Sequence, residues 1–463
     1  MARSETISLQ NSMPAGENTV VEAVNFEEPA SREWESSRKR AMVLIGSGLL
    51  QLPIWGFAMS YGVFQEYYSS NWTLEGSQYA TGVIGTTTNG VMYLSMPFLF
   101  ALFTKRWARY RQVAAVCGAV VSCLSFLLSS FSTHVWHLIA TQGVLAALGC
   151  ALVYSPTTLS LGEWFNNNNP NSGGSRQSSS NRAVAYGVVF SCKNIVGSVC
   201  PLIVRGLLDR FDFRTTLRIW MAVTAGTAIL GIFMVPTHPS AKSAATHPRG
   251  RKIPWQFLRH RTFYVYAVAI VLQSCGYGIP QTYLNTYAHE VTLLSQTSAT
   301  LLLTLFNIPG ILSSSFFGYL SDNKRFVLSA TTVTATSAVS SALAAFLFWG
   351  LTSQGSMALL VLFSITFGFF AGGYSATWGG LLNELEREAA ARNEPVDSGV
   401  LYGLLNGARG VGYVSGGLAA VPLLRAGSAS GGIGEFGYRS EYRPLILFTR
   451  LSSLVGGWGV MWR

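Results

Sequence analysis

Two basic residues embedded in apolar sequence carry the first chemical argument. Lys193 follows Val188-Val189-Phe190-Ser191-Cys192, and Arg409 sits in Asn406-Gly407-Ala408-Arg409-Gly410-Val411. They stand 216 positions apart, and each lies seven residues after a Tyr-Gly pair, Tyr186-Gly187 and Tyr402-Gly403. The same interval relates Tyr61-Gly62 with Gln65 to Tyr277-Gly278 with Gln281. A cation at the bilayer centre costs at least about 2.5–3.5 kcal/mol on insertion scales, so it must face a partner or a wet cavity. A guanidinium grips a carboxylate with two parallel donors, whereas an ammonium acts as a point charge. The pair therefore predicts a site for an anion. The structural alternative is that each cation bonds helix carbonyls or a neighbouring span.

Helical spacing adds polar groups around these two. Tyr402, Asn406, Arg409 and Tyr413 fall on one stripe, Gln273, Tyr277 and Gln281 on another, and Tyr61 with Gln65 on a third. Asn307 is the main polar residue of its apolar run, and Tyr374, with Tyr154 and Trp378, is placed to form an aromatic wall. The candidate substrate-binding set is therefore Lys193, Arg409, Asn406, Tyr402, Tyr277, Gln273, Tyr61, Asn307 and Tyr374. For the amides and rings the competing role is interhelical hydrogen bonding and packing. The glycines of the Arg409 run (Gly403, Gly407, Gly410, Gly412, Gly416) are read as surfaces for close helix contact. No carboxylate lies deep in an apolar run, and Glu66, at the end of one, is the weak candidate for a coupling acid.

Other chemistries find no support. The six cysteines show no metal-ligand spacing and are read as small buried hydrophobes. No G-x-x-x-x-G-K-[ST] run suggests a nucleotide-driven pump, and no nucleophile or metal constellation suggests an enzyme. The expectation is a non-enzyme without metal or cofactor.

The elements that must position these residues are membrane helices. Only 11% of the 463 residues are charged and 49% are hydrophobic, against about 25% charge in soluble domains, and mean hydropathy is +0.33. Apolar runs of about 18 residues or more recur from Ala41 onward, without the alternation of barrel strands. The expected fold is an all-α membrane protein of twelve transmembrane helices, near 42–64, 82–103, 112–132, 137–161, 183–204, 216–236, 263–287, 298–320, 327–349, 356–380, 399–424 and 445–462. Lys193 lies eleven residues past Arg182 and Arg409 twelve past Asp397, about 16 and 18 Å along a helix and so near mid-bilayer.

Residues 1–40 are expected to be a disordered cytosolic tail without a cleaved signal peptide. A first half at 41–236, a basic cytosolic linker at 237–262 and a second half at 263–463 follow. The net charge of +11 gathers in short loops rather than on one soluble face, which argues for a bilayer and against nucleic acid. Arg38-Lys39-Arg40 and the loops holding Lys105, Arg106, Arg176 and Lys324 place both termini in the cytosol, while the loops near 69–80, 133–136 and 288–297 carry no Lys or Arg. Arg205, Arg210, Arg214 and Arg218 near one outer loop, and Arg425, Arg439 and Arg443 near another, are exceptions. Asn71-Trp72-Thr73, a glycosylation sequon at Asn71, then falls outside. Trp72, Trp136, Trp164 and Trp462 are expected as interface anchors.

Further pairs keep the order of the duplication. Tyr154-Ser155 matches Tyr374-Ser375, and Asn89 with Leu94-Ser95 matches Asn307 with Leu312-Ser313. Two parallel six-helix pseudo-repeats resemble the major facilitator superfamily, whose substrates bind between the halves. Gly318-Tyr319-Leu320-Ser321-Asp322-Asn323-Lys324-Arg325 resembles its cytosolic signature, which implies a conformational latch of Asp322 with Lys324 and Arg325; in the first half Thr104 stands in the aspartate's place. Ser60-Tyr61-Gly62-Val63-Phe64-Gln65, Gln273-Ser274-Cys275-Gly276-Tyr277 and Asn406-Gly407-Ala408-Arg409-Gly410 resemble the fungal monocarboxylate-transporter-like branch. The mid-membrane lysine and aspartate–arginine pair of the animal lactate carriers are missing from spans one and eight.

The resemblance implies a monomeric secondary transporter at the plasma membrane. It would move a small organic anion or carboxylated metabolite, with efflux of a specialised metabolite ahead of monocarboxylate or nutrient uptake. A non-transporting nutrient sensor is the other alternative, disfavoured because the chain ends just past the last span.

Overall fold

The computed structural model describes residues 29–71, 73–104, 107–165, 175–236, 255–322, 329–429 and 436–462. They are almost wholly helical: α1 Pro29–Leu49, α2 Gln51–Ser70, α3 Thr81–Thr104, α4 Arg111–Ser129, α5 Ala146–Trp164, α6 Ser175–Arg210, α7 Phe213–Met234, α8 Arg261–Glu290, α9 Gln296–Asn307, α10 Pro309–Asp322, α11 Ala330–Ala344, α12 Met357–Gly373, α13 Trp378–Ala391, α14 Ser398–Ala429 and α15 Arg443–Val455. Residues 29–40 of the expected tail are helical and continuous with the first apolar run; Ala30 to Met42 holds neither glycine nor proline to stop the helix. The latch expected at Asp322, Lys324 and Arg325 falls at the end of α10 and beyond; the side chain of Asp322 and all of Lys324 and Arg325 lie outside the described residues, as does most of the 237–262 linker.

Among the described residues, ten helical segments are long and apolar enough to cross a membrane by length and composition. The expected spans 82–103 and 399–424 are helical, as α3 and α14, but are not among those ten. The reason is visible in their packing. α14 is rich in glycine because it meets α3 backbone to backbone; on α3, Thr86 lies against Gly417, while Thr87 lies against Gly143 and Thr88 donates to Gln142 O at 3.0 Å. A Cβ added at Gly410 would sit 2.5 Å from Leu94 N and 2.8 Å from Gly90 O, and one at Gly407 would sit 2.6 Å from Pro97 Cγ. Small residues permit this approach where lipid gives no hydrophobic drive for association. Gly410→Val is accordingly expected to cost about 3 kcal/mol or more through overpacking against backbone. Gly226→Ala, where nothing lies within 4 Å, is expected to be neutral. Thermal unfolding of the purified variants checks both.

The other long-range seams bring the two sequence halves together in a crossed pattern. Thr304 Oγ1 on α9 donates to Ser198 O on α6 at 2.9 Å, and Asn307 Nδ2 to Gly197 O at 3.1 Å. On α2, Gly62 abuts the Gln281 carbonyl of α8, 2.8 Å from where a Cβ would be.

Three breaks shape the interior. A wide helical turn at Ile139–Leu145 precedes α5, Ile308-Pro309 divides α9 from α10, and a tight turn at Tyr374–Thr377 divides α12 from α13. The cysteines depart from expectation. Cys150 and Cys200 are buried, Cys123, Cys192 and Cys275 are half-buried and Cys117 is exposed. Helices with apolar outer faces, such as α4 with Val113, Val116, Val120 and Leu124 exposed, leave a small thiol free to face lipid. Trp136 and Trp462 are exposed, whereas Trp164 donates to Pro236 O at 2.9 Å.

Candidate functional site

Arg409 is brought into a cage of rings by the α3–α14 seam. It precedes Gly410 at the point of closest approach, so the side chain leaves the seam beside Tyr93, one turn past Gly90, and Tyr413, one turn on along α14. Those two rings stack at 5.7 Å and 20°. The guanidinium carbon lies 5.1 Å from the centre of Tyr93, 5.4 Å from Tyr277 of α8, 5.6 Å from Tyr413 and 5.7 Å from Trp378 at the start of α13. Trp378 is set by the 374–377 turn, which the Tyr374 hydroxyl pins by donating to Gly456 O at 3.0 Å.

Lys193 of α6 rests on a separate ring. Its Nζ lies 3.7 Å from the centre of Trp55 on α2, and Trp55 in turn contacts Tyr93 at 5.5 Å and Tyr154 at 5.8 Å. The two cations are thus joined through Trp55 and Tyr93. Among the described residues neither cation has a carboxylate at ion-pair distance, and the buried Arg409 Nε has no hydrogen-bond partner. Each cation–ring contact offsets about 0.5–2 kcal/mol. Four rings can therefore offset the insertion cost of Arg409, yet they leave its positive charge unneutralised.

The remaining candidates divide. Tyr277 belongs to the cage, and Tyr402 stands at its edge, 6.4 Å from Trp378 and 6.1 Å from Phe100. Asn406 turns back to donate to Tyr402 O at 2.8 Å. Asn307 bridges α9 and α6 by donating to Leu303 O and Gly197 O, and Tyr61 donates to Thr81 O at 2.5 Å with its ring against Gly85. Gln273 is buried against Gly456, and its Nε2 has no partner among the described residues. Asn71 caps α2 and is exposed, with Nδ2 3.4 Å from Tyr67 O. Trp55 and Tyr93 are additions that spacing alone did not single out; the excess of rings in the apolar runs near both cations was the available signal.

A second cluster lies where α2, α6 and α9 meet. Glu66, at 1% exposure, and Arg205, at 7%, form a 2.6 Å ion pair between α2 and α6. Arg205 also binds Asp209 at 2.7 Å and the side-chain oxygen of Gln296 on α9. Gln296 Nε2 and Ser70 Oγ both donate to Glu66 Oε1 at 3.0 Å. Arg205 is therefore no loop charge. It is the hub of a buried network tying α2, α6 and α9.

The family model described as Major Facilitator Superfamily matches residues 43–417. The chain belongs to that superfamily. Within it, the chain falls in the monocarboxylate-transporter-like branch, and its relatives are transporters. It is 24% identical over 425 residues to the MFS-type transporter pynF of Aspergillus niger, covering 90% of this chain and 88% of that one. Human monocarboxylate transporter 12 is 27% identical over 295 residues, covering 57% and 54% of the two chains. In fold, the facilitator resembles the crystal structure of the nucleoside transporter NupG with a TM-score of 0.66 at 14% identity, covering 91% of this chain and 99% of that one.

Proposed function

We propose that this facilitator carries a small organic anion or carboxylated metabolite by alternating access, and that its physiological direction is efflux of a specialised metabolite. The observation that supports the substrate charge is Arg409: buried, ringed by aromatics and, among the described residues, without a carboxylate partner and with an unsatisfied Nε. A carboxylate entering the cage supplies the acceptor and the countercharge together. Lys193 contributes a second positive charge across Trp55 and Tyr93. Twelve helices in two parallel repeats fit the crossed seams, since α3 meets α14 and α6 meets α9, each joining one half to the other. With the N-terminus in the cytosol, the Glu66–Arg205–Gln296 cluster lies at the outer face, and its opening is the step that exposes the site outward. Direction rests on the branch resemblance.

An untargeted comparison of metabolites inside and outside cells, with and without the protein, tests the reading. The expected result is an anionic compound retained inside when the protein is absent. Redistribution confined to neutral or cationic compounds contradicts it.

A further inference from the structure

The two seams between the halves end differently. The α3–α14 seam stays closed as far as Thr104, the last residue of α3. A Cβ at Gly407 would sit 2.6 Å from Pro97 Cγ, one at Gly403 3.3 Å from Pro97 Cα, and one at Gly399 3.9 Å from Thr104 Oγ1. The seam of α6 against α9 and α10 closes only in part. From Arg205 and Gln296 it runs through Ser198–Thr304 and Gly197–Asn307 to Asn194, whose Cγ lies 2.8 Å from where a Cβ on Gly310 would be. Past that point it parts. Gly187 lies seven residues before Asn194 and Gly318 eleven after Asn307, so each stays on the facing stripe of its helix at 3.6 residues per turn. Among the described residues nothing comes within 4 Å of a Cβ at either position. Both lie about 10–12 Å along their helices from the Asn194–Gly310 contact.

A mouth made by rocking the halves would part both seams at this end, whereas only one is open. The parting is therefore a cleft in the side of the bundle. Lys193, beside Asn194, stands at its inner end and is half-buried, while Arg409 is only 7% exposed. The outer flanks are apolar, with Val184 and Val188 of α6 and Leu312 and Phe316 of α10 exposed. With the N-terminus in the cytosol, the cleft opens at the cytosolic leaflet. An apolar passage that ends on a cation suits a molecule with an anionic head and an apolar tail.

Resting on the anion site above, we propose that the substrate is an amphiphilic carboxylate drawn sideways from the cytosolic leaflet through the α6–α10 cleft. The tail remains among the apolar flanks and lipid, so only the head is desolvated on entry. The carboxylate meets Lys193 first and then passes to Arg409. Gly187 and Gly318 keep the passage open.

The test is equilibrium binding to the purified full chain in zwitterionic nanodiscs, with binding to empty discs subtracted. The probes are straight-chain carboxylates from hexanoate to decanoate, with decanol as the neutral partner. Each added CH₂ is expected to tighten binding about fourfold, the equivalent of about 0.8 kcal/mol. Gly187→Leu with Gly318→Leu is expected to weaken decanoate binding about tenfold, and either change alone about threefold, at an unchanged melting temperature. Gly226→Leu, on another open face, is expected to leave binding as it was. The proposal is overturned if affinity does not rise with chain length, which would mean entry from water, or if the leucine pair binds decanoate undiminished. It is also overturned if discs of phosphatidylglycerol abolish decanoate binding, since the cleft would then seat a resident anionic lipid. If decanol binds as tightly as decanoate, the anion site itself fails; if acids outbind the alcohol without a chain-length effect, only the lateral cleft fails.

Discussion

Arg205→Met is expected to lower stability by about 3–5 kcal/mol, the usual consequence of removing one partner from a buried ion pair. The magnitude follows from what remains. Glu66 is 1% exposed and would keep only the Gln296 amide and Ser70 hydroxyl as donors, with no cation. Changing both partners, Glu66→Gln with Arg205→Met, leaves no uncompensated charge and is expected to recover most of the loss. Thermal unfolding in detergent reads the stability. Hydrogen exchange at the adjoining ends of α2, α6 and α9 reads the local opening, with faster exchange expected in the single variant. An unchanged melting temperature for Arg205→Met would show that the cluster does not hold the bundle closed.

Arg409→Gln is expected to reduce transport of the anionic substrate by about 10- to 100-fold, the range that corresponds to losing about 1.5–3 kcal/mol of hydrogen bonding to a charged group. Arg409→Lys is expected to fall between. It keeps the positive charge but loses the planar fork and the stacking that places a guanidinium among Tyr93, Tyr277, Tyr413 and Trp378. Folding should hold in both variants, because the cage is already apolar and aromatic and Arg409 has no carboxylate to strand. Uptake normalised to the amount of monodisperse protein separates the substrate effect from expression.

How much of this was legible in the sequence depends on the range of the interaction. Span positions follow from local hydropathy, and ten of the helices satisfy that criterion outright. α14 loses apolar weight because its glycines serve a contact with α3 some 300 positions away, and α3 because Thr86 meets Gly417 while Thr88 bonds Gln142 O; no local window registers these contacts. The repeat offset brought Lys193 and Arg409 to attention, since both interrupt apolar runs. Asn406 against Phe190 already marked the two halves as chemically unequal, but not which groups would surround each cation. Tyr61 and Tyr277 are equivalent in the repeat, yet Tyr61 bonds Thr81 O whereas Tyr277 faces Arg409. Trp55 and Tyr93 could not be told from packing aromatics, because their role appears only when α2, α3, α6 and α14 meet. Arg205 was misplaced for the same reason. By position it resembled a loop charge, and its partner Glu66 lies 139 residues away on another helix.

The central claim is that Arg409 binds the negative charge of the transported molecule. The most direct test is proteoliposome uptake of the anionic metabolite identified by the inside–outside comparison, alongside its neutral amide, by the unmodified protein, Lys193→Ala and Arg409→Gln at equal protein density. The expected result is uptake of the acid in preference to the amide, lost in Arg409→Gln and weakened in Lys193→Ala. Undiminished uptake of the acid by both variants would contradict it.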